Sequence, residues 1–255
     1  MLKIKNVEIH GWEPGIRGMR NPKNSWKKSD SEFVTTDGEH HDICGNFGPR
    51  YGSYGWEEAV IGENDLNLMT TLRNAGTDHR KFMRMIVVYM DVTAPLYWWK
   101  EYDTYKVGTV TNSCSTMHKI AEKEFTLDDF SHEHLGVYIP AEKNDGEECF
   151  QNLWPVVMQN IVTALNNALD CYLRENDPEL KKAYWWQMIQ LLPSSYNQRR
   201  TIMLNYEVLA NIYKSRRNHK LDEWHTFCDL IESLPYSELI TGKKRKSEVN
   251  QNGNP

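Results

Sequence analysis

The densest chemistry in this chain lies between Ala94 and His118, in the run APLYWWKEYDTYKVGTVTNSCSTMH. Thr111, Asn112, Ser113, Cys114 and Ser115 put hydroxyls, an amide and a thiol on one short irregular stretch. Such groups can bind the polar edge of a ring or a phosphate; they can also satisfy their own backbone in a turn. Because the stretch follows a strand and a helix, it looks like a ligand site and not a core; its residue types leave the choice between ligand and turn open. Cys114 invites comparison with a cysteine nucleophile. No paired histidine is evident, so a small packing side chain is the preferred reading. Glu101 is able to accept from a ligand N–H or to stand as a solvated carboxylate. His40, His41 and Cys44 have tolerable metal-ligand spacing, but no fourth ligand follows at a recognisable distance, and no metal is expected.

The elements that must hold this segment can be read from periodicity. A strand is expected over 81–92, ending in the apolar run Met85–Val92 (MIVVYMDV). Pro95 stands where the first turn of a helix tolerates proline, and a helix to about Lys106 follows. Asn64–Asn74 sets Leu66, Met69 and Leu72 at helical spacing and stops at Ala75-Gly76. Cys149–Arg174 carries Leu153, Val156, Val157, Ile161, Leu165, Leu169 and Tyr172 in a 3-4 repeat, and further helices are expected over 178–192, 197–217 and 221–234. The third of these four carries Ile202, Tyr206, Leu209 and Ile212/Tyr213 inward. Asn205 and Arg216 share one of its faces, which could hold an anion; Arg216 could equally cap its own helix. Arg199, Arg200, Arg216 and Arg217 bracket it.

Residues 1–63 read as a strand at about 2–9 followed by loops rich in Gly, Asn, Asp and Ser. Another loop region is expected around 121–140. The fold class is α/β of the α+β kind, with a helical C-terminal half. Residues 1–241 read as one domain, with a loop-rich part over 1–63, and 242–255 read as a polar tail.

Composition narrows the functions available. The 255 residues are enough for a sizeable core. The net charge of −5 gives no general attraction to nucleic acid or acidic lipid, and the KKRK run at 243–246 reads as a solvated tail. No apolar run approaches the roughly 20 residues that a membrane helix needs, so neither a membrane nor a nucleic acid is an expected partner. The five cysteines are scattered and never in CxxC spacing, which suits free thiols and a cytoplasmic location. Nine tryptophans supply flat surfaces, read as core and subunit packing ahead of ring stacking.

Several ordered pairs then carry a resemblance. Ala94-Pro95 precedes Glu101 and Thr104-Tyr105-Lys106; Asn112-Ser113-Cys114-Ser115 and Met117-His118 follow. Leu192-Pro193, Asn205, Leu209, Asn211, Arg216 and Asp222-Glu223-Trp224 come later in order. This series resembles the flavin-dependent thymidylate synthases, the ThyX family, over roughly residues 64–234. In that family an AP pair and a helix ending in glutamine lead to RHRxxSxNExSxRY, and LP, an asparagine-bearing helix and an AQWE-like segment follow. Here Thr104-Tyr105-Lys106 stands at RHR, Asn112-Ser113-Cys114-Ser115 at NExS after one extra residue, and Met117-His118 at RY. Glu101 replaces the glutamine, Glu207 stands where the family often has arginine, and His79 matches a histidine before the strand.

The resemblance implies a ThyX-like fold with a small, mostly antiparallel sheet. It also implies an activity: methylene transfer to C5 of dUMP or a related pyrimidine nucleotide, mediated by FAD, with methylenetetrahydrofolate and NADPH as co-substrates. The enzyme would be a homotetramer with sites between subunits. Ser115 would lie against the substrate as the catalytic position, and on this resemblance rests the choice of ligand over turn for its stretch. Glu101, Asn112, Ser113, Cys114, Arg199 and Arg216 would join it in binding the nucleotide, and His79, Tyr105, Lys106, Asn205 and Asn211 would hold the cofactor. The phosphates of both ligands call for arginines, helix N-termini or backbone N–H groups. Because RHR has become Thr-Tyr-Lys, a second expectation stands beside the first: a non-catalytic protein that sequesters or senses a nucleotide on the same scaffold.

Overall fold

The structure is a computed structural model, and it describes residues 2–34, 40–41, 47–48, 59–135 and 153–243. The first elements are β1 (Lys3–His10), α1 (Trp12–Arg20), β2 (Glu32–Val34), β3 (His40–His41), β4 (Phe47–Gly48), β5 (Ala59–Val60) and α2 (Glu63–Asn74). Next come β6 (Val87–Pro95), α3 (Leu96–Tyr102), β7 (Thr109–Ser113) and α4 (Thr116–Lys119). The C-terminal part holds α5 (Leu153–Arg174), α6 (Pro178–Leu191), β8 (Asn197–Asn205), α7 (Tyr206–Arg216), α8 (Asp222–Ser233) and α9 (Glu238–Thr241). One four-stranded sheet has the order β1-β6-β8-β7; a second, smaller one has the order β4-β3-β2-β5. The second is antiparallel, with Phe33 opposite His41 and Ala59, and His41 opposite Phe47. Among the described residues, no helix is long and apolar enough to cross a membrane.

The chain forms two compact units. One comprises Met1–Ile4, Val92–Thr104 and Asn112–Thr201; the other comprises Lys5–Asp91, Tyr105–Thr111 and Ile202–Pro255. In the first, α5 buries Met158, Val162, Leu165 and Leu169, spaced four, three and four residues apart, in a core shared with Met188 of α6. Asp177 starts α6 by accepting from the N–H groups of Glu179 and Leu180, both at 3.0 Å, and Pro178 occupies the first turn. Asn166 of α5 clamps the backbone of Phe125: its amide accepts at 2.8 Å and donates at 2.9 Å.

In the second unit, α1 turns Trp12, Ile16 and Met19 inward. Trp12 packs edge-on against Tyr206 at 5.1 Å and Tyr236 at 5.2 Å. The Tyr206 hydroxyl donates to Pro235 O at 2.7 Å, and burial pushes its pKa well above the ordinary value. Asn205 begins α7 by accepting from the Val208 N–H at 3.0 Å. Gly108, at φ +77°, turns the chain beside it; a Cβ there would come within 2.8 Å of Asn205 Nδ2. Burial raises the Cys228 thiol to about 11, so it acts as packing.

Several expectations need correction. The helix expected over 197–217 is a strand followed by a helix. Ile202, Tyr206 and Leu209 fit a 3-4 repeat, but Ile202 and Leu204 are buried around the less buried Met203, an alternation of period two, and Asn205 caps the helix after it. Pro95 ends β6 in extended conformation and is the N-cap of α3, not part of its first turn, and the helix ends at Tyr102, where the Thr104 hydroxyl and N–H both close onto Glu101 O, at 2.7 and 3.2 Å. Strand β6 starts later than expected, since Lys81–Arg84 forms a short 3-10 turn. The Ser/Thr/Asn-rich stretch contains β7, in keeping with its β-branched Thr109, Val110 and Thr111. Within the described part of 1–63, Trp12–Arg20 forms a helix that its turn formers do not suggest. Of the residues weighed for a metal, His40 and His41 form β3 and Cys44 lies outside the described residues, as do 136–152 and the tail beyond Lys243.

Candidate functional site

In the first unit the structure joins the Cys114–Ser115 turn to β8. The Cys114 N–H donates to Arg199 O at 2.9 Å, and Gln198 Nε2 donates to Cys114 O at 3.0 Å and to Thr116 Oγ1 at 3.1 Å. Gln198 is itself held by Arg200, whose Nε donates to its amide oxygen at 2.9 Å. Arg200 stacks over Trp99 at 4.2 Å and donates to Asp103 at 2.7 Å. Ser115 caps α4 by accepting from the His118 N–H at 3.3 Å. That bond uses the hydroxyl oxygen as acceptor, so the O–H can donate to a ligand. Ser115 is half-buried, and Asn112, Ser113, Cys114 and Arg199 are exposed beside it in the chain or across the strand pair. Glu101 is half-buried on α3.

In the second unit the residues expected to hold a cofactor divide. Tyr105 accepts a hydrogen bond from Arg216 Nε at 3.0 Å, and the same guanidinium lies over Trp224 at 4.9 Å. Asn205 is committed to its helix cap. Asn211 accepts from Arg80 at 3.4 Å, and Lys106 is exposed. Glu207 draws in Arg80, at 3.1 Å, and Arg84. Burial opposes its charge, but the hydrogen bonds from Arg84 and Arg80 prevail and hold its pKa below the usual carboxylate value.

The same unit contains a cavity of about 1000 Å³ between the end of α1, the segment that follows it, α2 and residues 78–85. Lys23, Lys28, Lys81, Arg20 and His79 line it with nitrogen-bearing side chains and Asp78 with a carboxylate, whereas Leu68, Leu72, Phe82 and Met85 make apolar wall. Its volume sits at the top of the range for small-molecule sites. A cationic edge on an apolar wall suits a ligand with phosphates and a flat ring. Of the residues assigned to a ligand from sequence, His79 lines this cavity. The three lysines were not found from sequence. Two of them fall in a stretch that reads as loop, and a lysine pattern alone does not separate a site from a solvated surface.

ThyX from Helicobacter pylori, complexed with FAD and dUMP, matches with a TM-score of 0.58 at 14% identity, over 96% of this chain and 99% of that one. The fold is that of the flavin-dependent thymidylate synthases. A second ThyX structure from Helicobacter pylori, with FAD and dUMP, has the same TM-score and identity, covering 95% of this chain and 98% of that one. The UMP/dUMP methylase PolB from Streptomyces cacaoi, bound with 5-Br UMP, has a TM-score of 0.51 at 13% identity, covering 91% of this chain and 88% of that one. No protein-family model and no curated protein sequence matches the chain. At these identities the ThyX likeness is one of fold.

Proposed function

We propose that this chain is a divergent ThyX-like enzyme that transfers a methylene or methyl group to C5 of dUMP or a related pyrimidine nucleotide. The observation that carries the reading is the cation-edged cavity of the second unit, on a fold that ThyX chains match almost end to end. The residues present there fit a flavin dinucleotide. Lys23, Lys28, Lys81 and His79 would hold its pyrophosphate, and Phe82 and Met85 would lie against a ring. Bound FAD would supply the redox chemistry, with NADPH as electron donor and methylenetetrahydrofolate as carbon source. The phosphate partners are then lysines from elsewhere in the chain, because Tyr105 and Asn205 are engaged internally. Ser115 would orient the pyrimidine, with Glu101, Asn112, Ser113, Cys114, Arg199 and Arg216 as further substrate residues. A single ThyX-like domain in a homotetramer with sites between subunits goes with this reading.

A specific observation favours a second reading. Arg216 is taken up by Tyr105 and Trp224, Arg80 and Arg84 by Glu207, and Arg200 by Asp103. A chain whose arginines are so engaged would suit nucleotide sequestration or sensing without turnover. Two measurements separate the readings. The enzyme should purify yellow, or take up FAD on titration, and convert dUMP in the presence of NADPH and methylenetetrahydrofolate. A binding protein should stay colourless yet be stabilised by a nucleotide, by about 2.7 kcal/mol at a hundred times its Kd. A protein that neither takes FAD nor shifts its Tm with any of a broad nucleotide panel would refute both.

A further inference from the structure

A charged pair is buried beside the cavity, at the junction of α1 and α2. Arg20 and Asp65 are 3% and 0% exposed. Arg20 Nε donates to Asp65 Oδ1 at 2.6 Å, while its two terminal nitrogens donate to Ser25 O at 3.2 Å and Lys28 O at 3.0 Å. The other carboxylate oxygen of Asp65 accepts from Ser29 Oγ at 2.6 Å, Ser31 Oγ at 2.7 Å and Asp30 N at 3.2 Å. The following turn is fastened as well. The carboxylate of Asp30 accepts from the first-turn N–H groups of Asn64 and Asp65, at 2.9 and 3.1 Å, and Gly62 leaves room for it: a Cβ there would fall 2.2 Å from the Asp30 carboxyl carbon.

Burying two charges is expensive, and an apolar pair of the same volume often does as well or better for stability. This arrangement does something an apolar pair cannot. It fixes five groups of one segment, 25–31, from two helices at once. That segment contains Lys28 and begins just after Lys23, and both lysines line the cavity. We infer that Arg20 and Asp65 are positioning residues for the ligand cavity: the Arg20 fork and the Asp65 carboxylate hold residues 21–31 in the one course that turns the two lysine ammonium groups toward an anionic ligand. Arg20 itself lines the cavity, whereas Asp65 does not. The inference rests on the cavity being a ligand site, as proposed above.

The test compares wild type, Arg20→Lys, Lys28→Ala and the double variant. Lysine at position 20 keeps the ion pair but cannot span both carbonyls. Two readouts are used, amide hydrogen exchange without ligand and FAD titration followed by fluorescence. In Arg20→Lys the amides of residues 24–31 should exchange about tenfold faster, with those of α7 unchanged. Its Kd for FAD should rise about tenfold, and the double variant should lose much less than the product of the single losses, because a misplaced lysine has little left to lose. Wild-type exchange over 24–31, or a loosened segment with unchanged FAD affinity, would overturn the inference. Fully multiplicative losses would do the same. Should Arg20→Lys fail to fold, Ser29→Ala removes one bond from Asp65 and leaves the pair intact; it must then show the same faster exchange, in smaller degree. A wild type that takes no FAD would remove the flavin reading alone, since exchange without ligand still decides whether the pair holds the segment.

Discussion

Glu207 is the residue at which this chain's electrostatics differ most plainly from those expected of its family resemblance. It places a carboxylate between Arg80 and Arg84, where a further arginine would have left three cations together. Glu207→Gln keeps the shape and removes the charge that separates the two guanidiniums. The expected loss is about 1–2 kcal/mol, toward the low end for charged hydrogen bonds because Arg84 is half exposed. The sign of the pH dependence follows from the lowered pKa. The Glu207 contribution is fully present above the unfolded carboxyl value of about 4.3 and disappears as pH falls through the lower folded value. Urea melts of wild type between neutral and acid pH should therefore lose this increment at the acid end, and Glu207→Gln should not. Equal acid sensitivity in both proteins would show that the carboxylate is not held as described.

Helix packing is legible in this sequence wherever one face of a helix meets one core. In α5, Leu165 and Leu169 of the expected stripe are core and Ile161 and Tyr172 pack against it, but Val156 and Val157 are exposed and the inward face runs instead through Met158 and Val162; α2, α6 and α8 follow expectation to within a residue or so at their described ends. The clamp that ties α5 to the chain before it is not legible, because Asn166 in sequence is only a polar residue on a helix. Asn166→Ala would leave the Phe125 N–H and C=O without that partner, at an expected cost of about 1–3 kcal/mol, read from the shift of the urea midpoint at unchanged slope. A midpoint within error of wild type would mean that solvent serves Phe125 as well. Two failures of reading have physical causes. In α1, Trp12, Ile16 and Met19 have helical spacing, but Gly11, Pro14, Gly15 and Gly18 around them signal turns. In β8, the apolar residues obey both periods until Asn205, and only pairing with neighbouring strands decides between them. The Ser115 turn was singled out from its side-chain chemistry. The lysine cavity was not, since it is assembled from segments up to about sixty residues apart in sequence (Lys23 to Lys81).

For the whole molecule, the end-to-end match to ThyX structures at 14% identity is a match of fold. A scaffold can outlast the chemistry it once carried, so function must be argued from the site. The cavity of the second unit is lined by three lysines and a histidine, with Asp78 beside them. Binding of FAD at that cavity tests the proposed function most directly. Fluorescence titration of FAD into wild type, Lys28→Ala and Lys81→Ala should give saturable binding by wild type. It should weaken about tenfold in each variant, as expected for the loss of one charge-assisted phosphate contact, with Tm preserved. A folded wild type that leaves FAD fluorescence unchanged, or variants that bind FAD as wild type does, would contradict a flavin site in this cavity.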